Sequence, residues 1–281
     1  MQTTQAFSSE FYSALLPELL LFAGLLALIL IPNLGKGTFR IPGTQIRLPW
    51  LLGGQRFSLT SNPHLPAWIA TITLTGAFVA VADSLNGGVE ALSVVSSDAD
   101  TAKELLMVNG FSRVFELIFF GALALASFAS MNRLKVEGVG GKLTEDQLYN
   151  NRRQADFYIL MLTCGLGMSV VALSQDLFVL FIGLELASFS TYVLVAFLKE
   201  SKAGAEAGMK YFIVGSVASG VGLYGLSMLY LWAGSLQFEV LATAFATSGT
   251  EPLPLIGIGF VLVGFGFKVS AAPFHLSLIH I

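Results

Sequence analysis

The sequence predicts an all-α integral membrane protein, and two observations support this prediction. Of the 281 residues, 54% are hydrophobic and only 12% are charged, and the mean hydropathy is +0.74. Soluble domains carry about twice that charged fraction, so lipid must be the solvent for most of the apolar surface. The apolar residues also fall in long stretches, close to the roughly 20 residues that a membrane-spanning helix needs.

Seven such stretches are present, and we interpret each as a membrane-spanning helix. The second is the weakest, because it is short and rich in threonine. The stretches cover residues 15–31, 67–82, 112–131, 157–174, 177–198, 207–232 and 255–272. Pro273 follows the last stretch directly and predicts a break in that helix, because proline cannot continue the hydrogen-bond ladder.

The loops between these stretches alternate in their content of lysine and arginine. The loops at 33–66, 132–156 and 199–202 together hold eleven basic residues, whereas the N-terminus and the opposite loops hold only Lys103. The positive-inside rule then places the N-terminus outside and the basic loops in the cytoplasm. Seven spans fit this alternation, so the sequence predicts a multi-pass protein of the cell (inner) membrane. Residues 99–108 are expected to form a short interfacial helix.

Several classes of function are excluded by composition. The net charge of −3 argues against nucleic acid as a partner. A single cysteine, Cys164, excludes an internal disulfide framework and a cysteine-rich metal or iron–sulfur site. The sequence has no GxGxxG after a strand, no CxxCH and no HExxH. We therefore expect no cofactor and no metal site in this chain, and redox chemistry is expected elsewhere.

Two charged residues lie deep inside apolar stretches. Glu185 lies about 12 Å from the outer end of the fifth stretch, and Lys268 lies within the seventh. A charge at such depth costs a few kcal/mol unless it is paired or neutralised, and ionisable residues inside a membrane are usually functional. A buried structural ion pair is the alternative interpretation. Desolvation lowers the pKa of a lysine, and a nearby carboxylate raises it again. A lysine that experiences both effects can take up and release a proton.

Other charges near the ends of the stretches have plainer interpretations. Lys210 lies about one turn inside the sixth stretch with Glu206 four residues before it on the same helix face, so the two can form a link for protons or a simple anchoring salt bridge. Arg113 is expected to reach the interface by snorkelling. Glu116, Asp156 and Asp176 are also expected to be interfacial.

These charged stretches resemble a known family. The Glu185 stretch, the segment EAGMKYFIVGSVASGVGLYG with Lys210 and the segment GFGFKVSAAPFH with Lys268 resemble subunit N of the proton-pumping NADH:quinone oxidoreductase, complex I. That subunit is antiporter-like and related to Mrp-type cation/proton antiporters. The resemblance covers residues 112–275, the proposed proton-translocating region, whereas residues 1–111 match only in being hydrophobic.

The resemblance implies a role for each charge. Glu185 resembles the glutamate of the family's fifth helix and Lys268 the lysine of its broken seventh helix, which are paired in the proton channel. Lys210 resembles the sixth-helix lysine and Glu206 its neighbouring acid. The chain would then move protons, its partners would be the lipid bilayer and other membrane subunits of complex I, and NAD, flavin, iron–sulfur and quinone sites would lie on those partner subunits.

The C-terminus departs from the family pattern. After PFH the family continues with about seven further helices, for about fourteen in total, whereas this sequence reads LSLIHI. That hexapeptide resembles the translation of a transposase-adapter sequence used in DNA library preparation. Our hypothesis is that residues 276–281 derive from the adapter, and that the chain is an N-terminal fragment, half of an antiporter-like subunit.

Two other functions remain open from the sequence. One is a subunit of an Mrp-type cation/proton antiporter, which sodium-dependent exchange without NADH would distinguish. The other is a non-pumping scaffold of a related membrane redox complex, in which the buried pair is purely structural.

Overall fold

The computed structural model describes residues 2–3, 9–33, 38–40, 47–49, 64–87, 92–96, 103–131, 145–197, 201–248 and 251–271. Within these ranges the chain is mostly helical. The helices are α1 (Ser9–Ala14), α2 (Leu16–Asn33), α3 (Leu65–Asn86), α4 (Gly110–Ser130), α5 (Glu145–Leu173), α6 (Leu177–Val195), α7 (Lys202–Ala233), α8 (Phe238–Ser248) and α9 (Pro252–Lys268).

Short strands accompany the helices. They are β1 (Gln2–Thr3), β2 (Thr38–Arg40), β3 (Arg47–Pro49), β4 (Leu92–Ser96) and β5 (Lys103–Val108). In one sheet β4 pairs parallel to β1 and antiparallel to β5, and β2 pairs antiparallel to β3 in the other. The helix expected over residues 99–108 is therefore wrong for Lys103–Val108, because β4 supplies a backbone partner that local helix propensity does not reveal.

All seven predicted stretches form helices, but they are not equal in length. Five helices are long and apolar enough to cross a membrane: α3, α4, α6, α7 and the part of α5 from Arg153 onward. The first and last stretches form the shorter apolar helices α2 and α9. The helix α8 lies in a segment that the sequence analysis treated as a loop. These helices make the chain a multi-pass membrane protein, as predicted.

Large apolar side chains cover much of the outer surface of the spanning helices. Water would disfavour such a surface, whereas lipid solvates it. The most exposed examples are Ile72 on α3, Leu125 on α4, Phe189 on α6, Leu231 on α7 and Leu262 on α9.

The helices pack in two groups. The helices α2, α3, α4 and α5 enclose a core of fully buried side chains that includes Leu21, Leu74, Phe120 and Leu162. The second group is centred on α7, which packs most extensively against α9 and also contacts α6 and α8. Its core is formed by Leu226, Leu229, Leu236, Leu241 and Val261.

Close contact between α5 and α6 joins the two groups. A Cβ atom on Gly167 of α5 would lie 2.5 Å from the backbone nitrogen of Ala187 and 2.8 Å from the carbonyl oxygen of Gly183 on α6. These are backbone atoms, so no side-chain rotation can relieve the clash. Glycine is therefore required at Gly167, and small residues generally allow membrane helices to approach in this way.

Replacing Gly167 by alanine should destabilise the protein. We expect Gly167→Ala to lower the free energy of unfolding by about 1–3 kcal/mol, because α5 and α6 must move apart to admit the methyl group. Unfolding in detergent, followed by circular dichroism, measures the change. Gly220→Ala on α7 is the matched control, because a Cβ there meets no atom within 4 Å. Equal stability of the two variants would contradict the close packing.

Candidate functional site

The two deep charges predicted from the sequence form an ion pair. The Nζ atom of Lys268 lies 2.8 Å from Oε1 of Glu185. The Lys268 side chain is 11% exposed and that of Glu185 is 31% exposed, so the pair is largely withdrawn from the surface of the chain. Glu185 lies near the middle of α6 and Lys268 is the last residue of α9. The pair therefore connects two helices that are distant in sequence.

Lys268 uses its full hydrogen-bonding capacity. Besides Glu185, its Nζ atom donates to Oγ of Ser188 at 2.8 Å and to the hydroxyl of Tyr192 at 3.3 Å. An ammonium group has three N–H donors, and three acceptors are present here. All three acceptors are on α6, and successive acceptors along the helix are about one turn apart. Each N–H of the Lys268 ammonium therefore has an acceptor on α6.

Glu185 has a second partner on α7. The hydroxyl of Ser219 donates to Oε1 of Glu185 at 2.7 Å, the same oxygen that accepts from Lys268. Gly222 and Gly264 bring α7 against α9 at this level, since a Cβ on Gly264 would lie 3.0 Å from the Cα of Gly222. The close approach of α7 and α9 places Ser219 and Lys268 on the same side of Glu185.

The orientation of Tyr192 is fixed by its neighbours. Its ring packs edge-to-face against Tyr211, with centroids 4.6 Å apart, and against Phe212 at 6.1 Å. The Tyr192 hydroxyl also occupies the space that a Cβ on Gly215 would need. Because this hydroxyl is already held in place, it can accept a hydrogen bond from Lys268 without a further loss of conformational entropy.

The end of α9 is closed by backbone hydrogen bonds. The backbone nitrogen of Ala271 donates to the carbonyl of Gly266 at 2.8 Å, and that of Ser270 donates to Phe267 at 3.1 Å. With Ser270 at φ 54°, this is a Schellman motif, which normally has glycine at that position. The helix ends at Lys268, and the carbonyls before the lysine are satisfied. Pro273 lies outside the described residues, so the predicted break there stays a prediction.

A small cavity adjoins the ion pair. Its free volume is about 10 Å³, which is about the space that one water molecule needs. Ser219 and Lys268 supply its polar lining. The complete lining is Phe181, Leu184, Ser219, Gly222, Leu226, Val261, Gly264, Phe265 and Lys268.

Lys210 and Glu206 form a separate pair. Their side chains are 2.5 Å apart and are 59% and 65% exposed. Lys210 is nine residues from Ser219 along α7, which at about 100° per residue places it on the opposite side of the helix. Within the described residues, this pair therefore makes no contact with Glu185 or Lys268. Its expected role as a link between them stays a prediction.

A second buried cluster was missed by the sequence analysis. Arg113 is 1% exposed and Glu116 is fully buried, with Nη1 of Arg113 2.5 Å from Oε2 of Glu116. Nη1 also lies 3.9 Å from Oε1 of Glu18, and Nη2 donates to the carbonyl of Ala14. Snorkelling of Arg113 and an interfacial Glu116 are therefore wrong, because α1, α2 and α5 cover this end of α4. The signal in the sequence was Glu18, a single charge inside the first apolar stretch.

Asp176 has a structural role. It precedes α6 and accepts hydrogen bonds from the backbone nitrogens of Phe178 and Val179 at 2.8 and 3.2 Å. This is an N-cap, which satisfies the donors that the first turn of a helix leaves free. Among the described residues, no group of three or more histidine, cysteine, aspartate or glutamate side chains is arranged to hold a metal ion.

Comparisons with known proteins agree with this geometry. Residues 174–280 match the family described as "NADH:quinone oxidoreductase/Mrp antiporter, TM". NADH-quinone oxidoreductase subunit N of Gluconacetobacter diazotrophicus is 35% identical over 223 residues, which are 78% of this chain and 42% of the relative. Subunit N of Sphingopyxis alaskensis is 40% identical over 163 residues, which are 57% of this chain and 34% of the relative.

A solved structure shares the fold. Respiratory complex I from Thermus thermophilus contains a chain that superposes with a TM-score of 0.61 at 22% identity, over 93% of this chain and 45% of that one. The chain thus spans less than half the length of these relatives. The resemblance to subunit N inferred from the three charged segments is confirmed. Over residues 174–280, the chain is similar to the family described as "NADH:quinone oxidoreductase/Mrp antiporter, TM".

Proposed function

We propose that this chain is part of a membrane subunit of NADH:quinone oxidoreductase and that it translocates protons. Lys268 would be the proton-carrying group and Glu185 the group that controls its charge. The observation that carries the proposal is the ion pair itself, in which a lysine with three acceptors closes a contact between α6 and α9. The names of the relatives support the same activity.

The geometry supports a simple step for the proton. When Glu185 moves away from Lys268 or becomes neutral, the ammonium loses the charge that stabilises it in a desolvated site and can release its proton. The adjoining cavity, which Lys268 and Ser219 help to line, has space for about one water molecule, and such a water would accept that proton. Restoring the contact would favour proton uptake by the lysine.

Lys210 and Glu206 would form a secondary link in the same pathway. Because their pair faces away from Ser219, the link would run along the outer face of α7 and would need another polar group, on a partner or on residues outside the described ranges. NAD, flavin, iron–sulfur and quinone sites would lie on partner subunits, with electron transfer coupled to this chain through contacts among the membrane subunits.

We further propose seven spans in the cell inner membrane, with the N-terminus outside and the basic loops in the cytoplasm. The helices α2 and α9 would be the first and seventh spans, despite their shorter length. The helix α8 would then lie on the outside, between the sixth and seventh spans.

Substitution by arginine separates a proton carrier from a structural partner. Arginine keeps the positive charge beside Glu185 but does not release its proton in proteins. We expect Lys268→Arg to lower redox-driven proton pumping by roughly tenfold or more in vesicles carrying the assembled complex, and Lys268→Ala and Glu185→Ala to lower it similarly. Pumping is followed by the quenching of a pH-sensitive dye upon addition of NADH.

The matched control is Lys202→Ala, since Lys202 is an exposed lysine at the start of α7. It should pump like the wild type. Normal pumping by Lys268→Arg together with loss in Lys268→Ala would make the pair structural, and wild-type pumping in all three site variants would overturn the assignment.

The orientation can be tested with single cysteines. Ala203 at the start of α7 and Ala246 on α8 are both exposed, and Cys164 can be replaced by alanine to give a cysteine-free background. A membrane-impermeant maleimide added to intact spheroplasts should label Ala246→Cys at once and Ala203→Cys only after permeabilisation. The reverse pattern would show that the orientation is inverted. Labelling of both cysteines from the same side would show that α7 does not carry the chain across the membrane.

A cation/proton antiporter is the second candidate, because the family description names Mrp antiporters beside the oxidoreductase. If the chain belongs to the oxidoreductase, pumping should require NADH and be unchanged when sodium is replaced by choline. Sodium-dependent proton exchange in vesicles without NADH would favour the antiporter.

A further inference from the structure

The cluster formed by Glu18, Arg113, Glu116 and Ser169 lies far from the Glu185–Lys268 pair along the chain and on different helices. Glu18 is in the first turn of α2, Arg113 and Glu116 are in the first two turns of α4, and Ser169 is in the last turns of α5. The N-terminal ends of α2 and α4 and the C-terminal end of α5 therefore meet at the same end of the group formed by α2, α3, α4 and α5. Under the proposed orientation, this is the outer side of the membrane.

Ser169 lies between the two carboxyl groups. Its Oγ atom is 2.7 Å from Oε1 of Glu18 and 2.7 Å from Oε1 of Glu116. A serine hydroxyl carries one hydrogen and can donate to only one of these oxygens. If both glutamates were ionised, the other 2.7 Å contact would join two oxygens with no hydrogen between them. The geometry therefore requires one additional proton.

The charge balance requires the same proton. With both carboxyl groups ionised, the cluster would hold two negative charges and only the positive charge of Arg113, leaving a net charge of −1 in a largely buried place. Burial of an uncompensated charge costs several kcal/mol. The cluster becomes neutral when one carboxyl group is protonated.

Arg113 supplies the counter-charge of the cluster. Its Nη1 atom is 2.5 Å from Glu116 and 3.9 Å from Glu18. The Oε2 atom of Glu18 is buried and has no hydrogen-bond partner among the described residues. An unpaired oxygen is less costly on a neutral carboxyl group than on an ionised one. One proton shared between the two carboxyl groups leaves a single negative charge for Arg113 to balance.

We propose that Glu18, Ser169 and Glu116 form a second proton-binding site, in which the two carboxyl groups share one proton through the Ser169 hydroxyl. In one arrangement Glu18 donates to Ser169 and Ser169 donates to Glu116, and in the other both hydrogen bonds run in the opposite direction. In the transfer step the proton of Glu18 moves to Oγ of Ser169 while the hydroxyl proton of Ser169 moves to Glu116. Two O–H bonds break, on Glu18 and Ser169, and two form, on Ser169 and Glu116, so the net charge of the cluster does not change.

Among the side chains that the structure describes on the surrounding helices and the turn after α5, none replaces Arg113 as the counter-charge. The titratable ones near this end of the bundle are neutral or acidic, and a further acid would favour proton binding even more. They are Tyr12 on α1, Asp83 on α3 and Asp176 after α5. The proposal goes beyond the proposed function, since it concerns proton occupancy of helices that the Glu185–Lys268 pair does not use.

Infrared spectroscopy tests the proton directly. The full chain in lipid nanodiscs at neutral pH should show the C=O stretch of a protonated carboxyl group, which shifts in heavy water. Glu18→Gln should lose this band. Glu116→Gln should also lose it, because Glu18 then becomes the only counter-ion of Arg113 and ionises. The matched control is Glu239→Gln on α8, an exposed glutamate, which should leave the band unchanged.

An unchanged band in Glu18→Gln would overturn the proposal. If that variant does not fold, as judged by its helical circular dichroism, Ser169→Ala gives an independent test. Removing the hydroxyl takes away the hydrogen-bond acceptor of the protonated carboxyl group, so the band should move to higher frequency. A band at the wild-type position in Ser169→Ala would overturn the proposal as well. Because no NADH or pumping is involved, these outcomes are separate from those of the pumping assay.

Discussion

The cost of burying charge in lipid is the constraint on which this structure depends. A lysine or glutamate at the centre of a membrane helix costs a few kcal/mol when it has no partner. Glu185 and Lys268 remove that cost for each other at a distance of 2.8 Å. Because α6 and α9 have little direct packing, the ion pair is the main contact between them, with α7 packed against both. The contact between α6 and the end of α9 is therefore made mainly by polar groups, whereas α9 packs on α7 along its length.

Small residues make this arrangement possible. The contact of α7 with α9 at Gly222 and Gly264 brings backbones together where side chains would keep them apart. The same kind of contact at Gly167 and Gly183 holds α6 against α5. Hydrophobic burial contributes little to helix association inside lipid, so close backbone packing and polar contacts must supply the attraction. Lys268 at the end of α9 adds polar contacts of this kind, to Glu185, Ser188 and Tyr192 on α6.

The two buried charge clusters differ in how their charges balance. Glu185 and Lys268 are one acid and one base, and three acceptors surround the ammonium group. The cluster at Arg113 has two acids and one base, and a single serine hydroxyl bridges the acids. A balanced pair stores no extra proton, whereas an excess of one carboxyl group requires one. Under the two proposals, the clusters would have different roles: proton release from a lysine in one, and proton storage on a carboxyl group in the other.

The sequence by itself determined the membrane class, the positions of the helices and the two deepest charges, because hydropathy, loop charge and isolated ionisable residues are local properties. It also carried the family resemblance in the segments around Glu185, Lys210 and Lys268. Only the tertiary structure decided which charges meet. Lys210 lies nine residues from Ser219 and faces away from the site, while Arg113 is covered by neighbouring helices instead of reaching the interface. These outcomes depend on helix rotation and packing, which bring together residues as distant as Glu18 and Ser169, and no local pattern encodes such a contact.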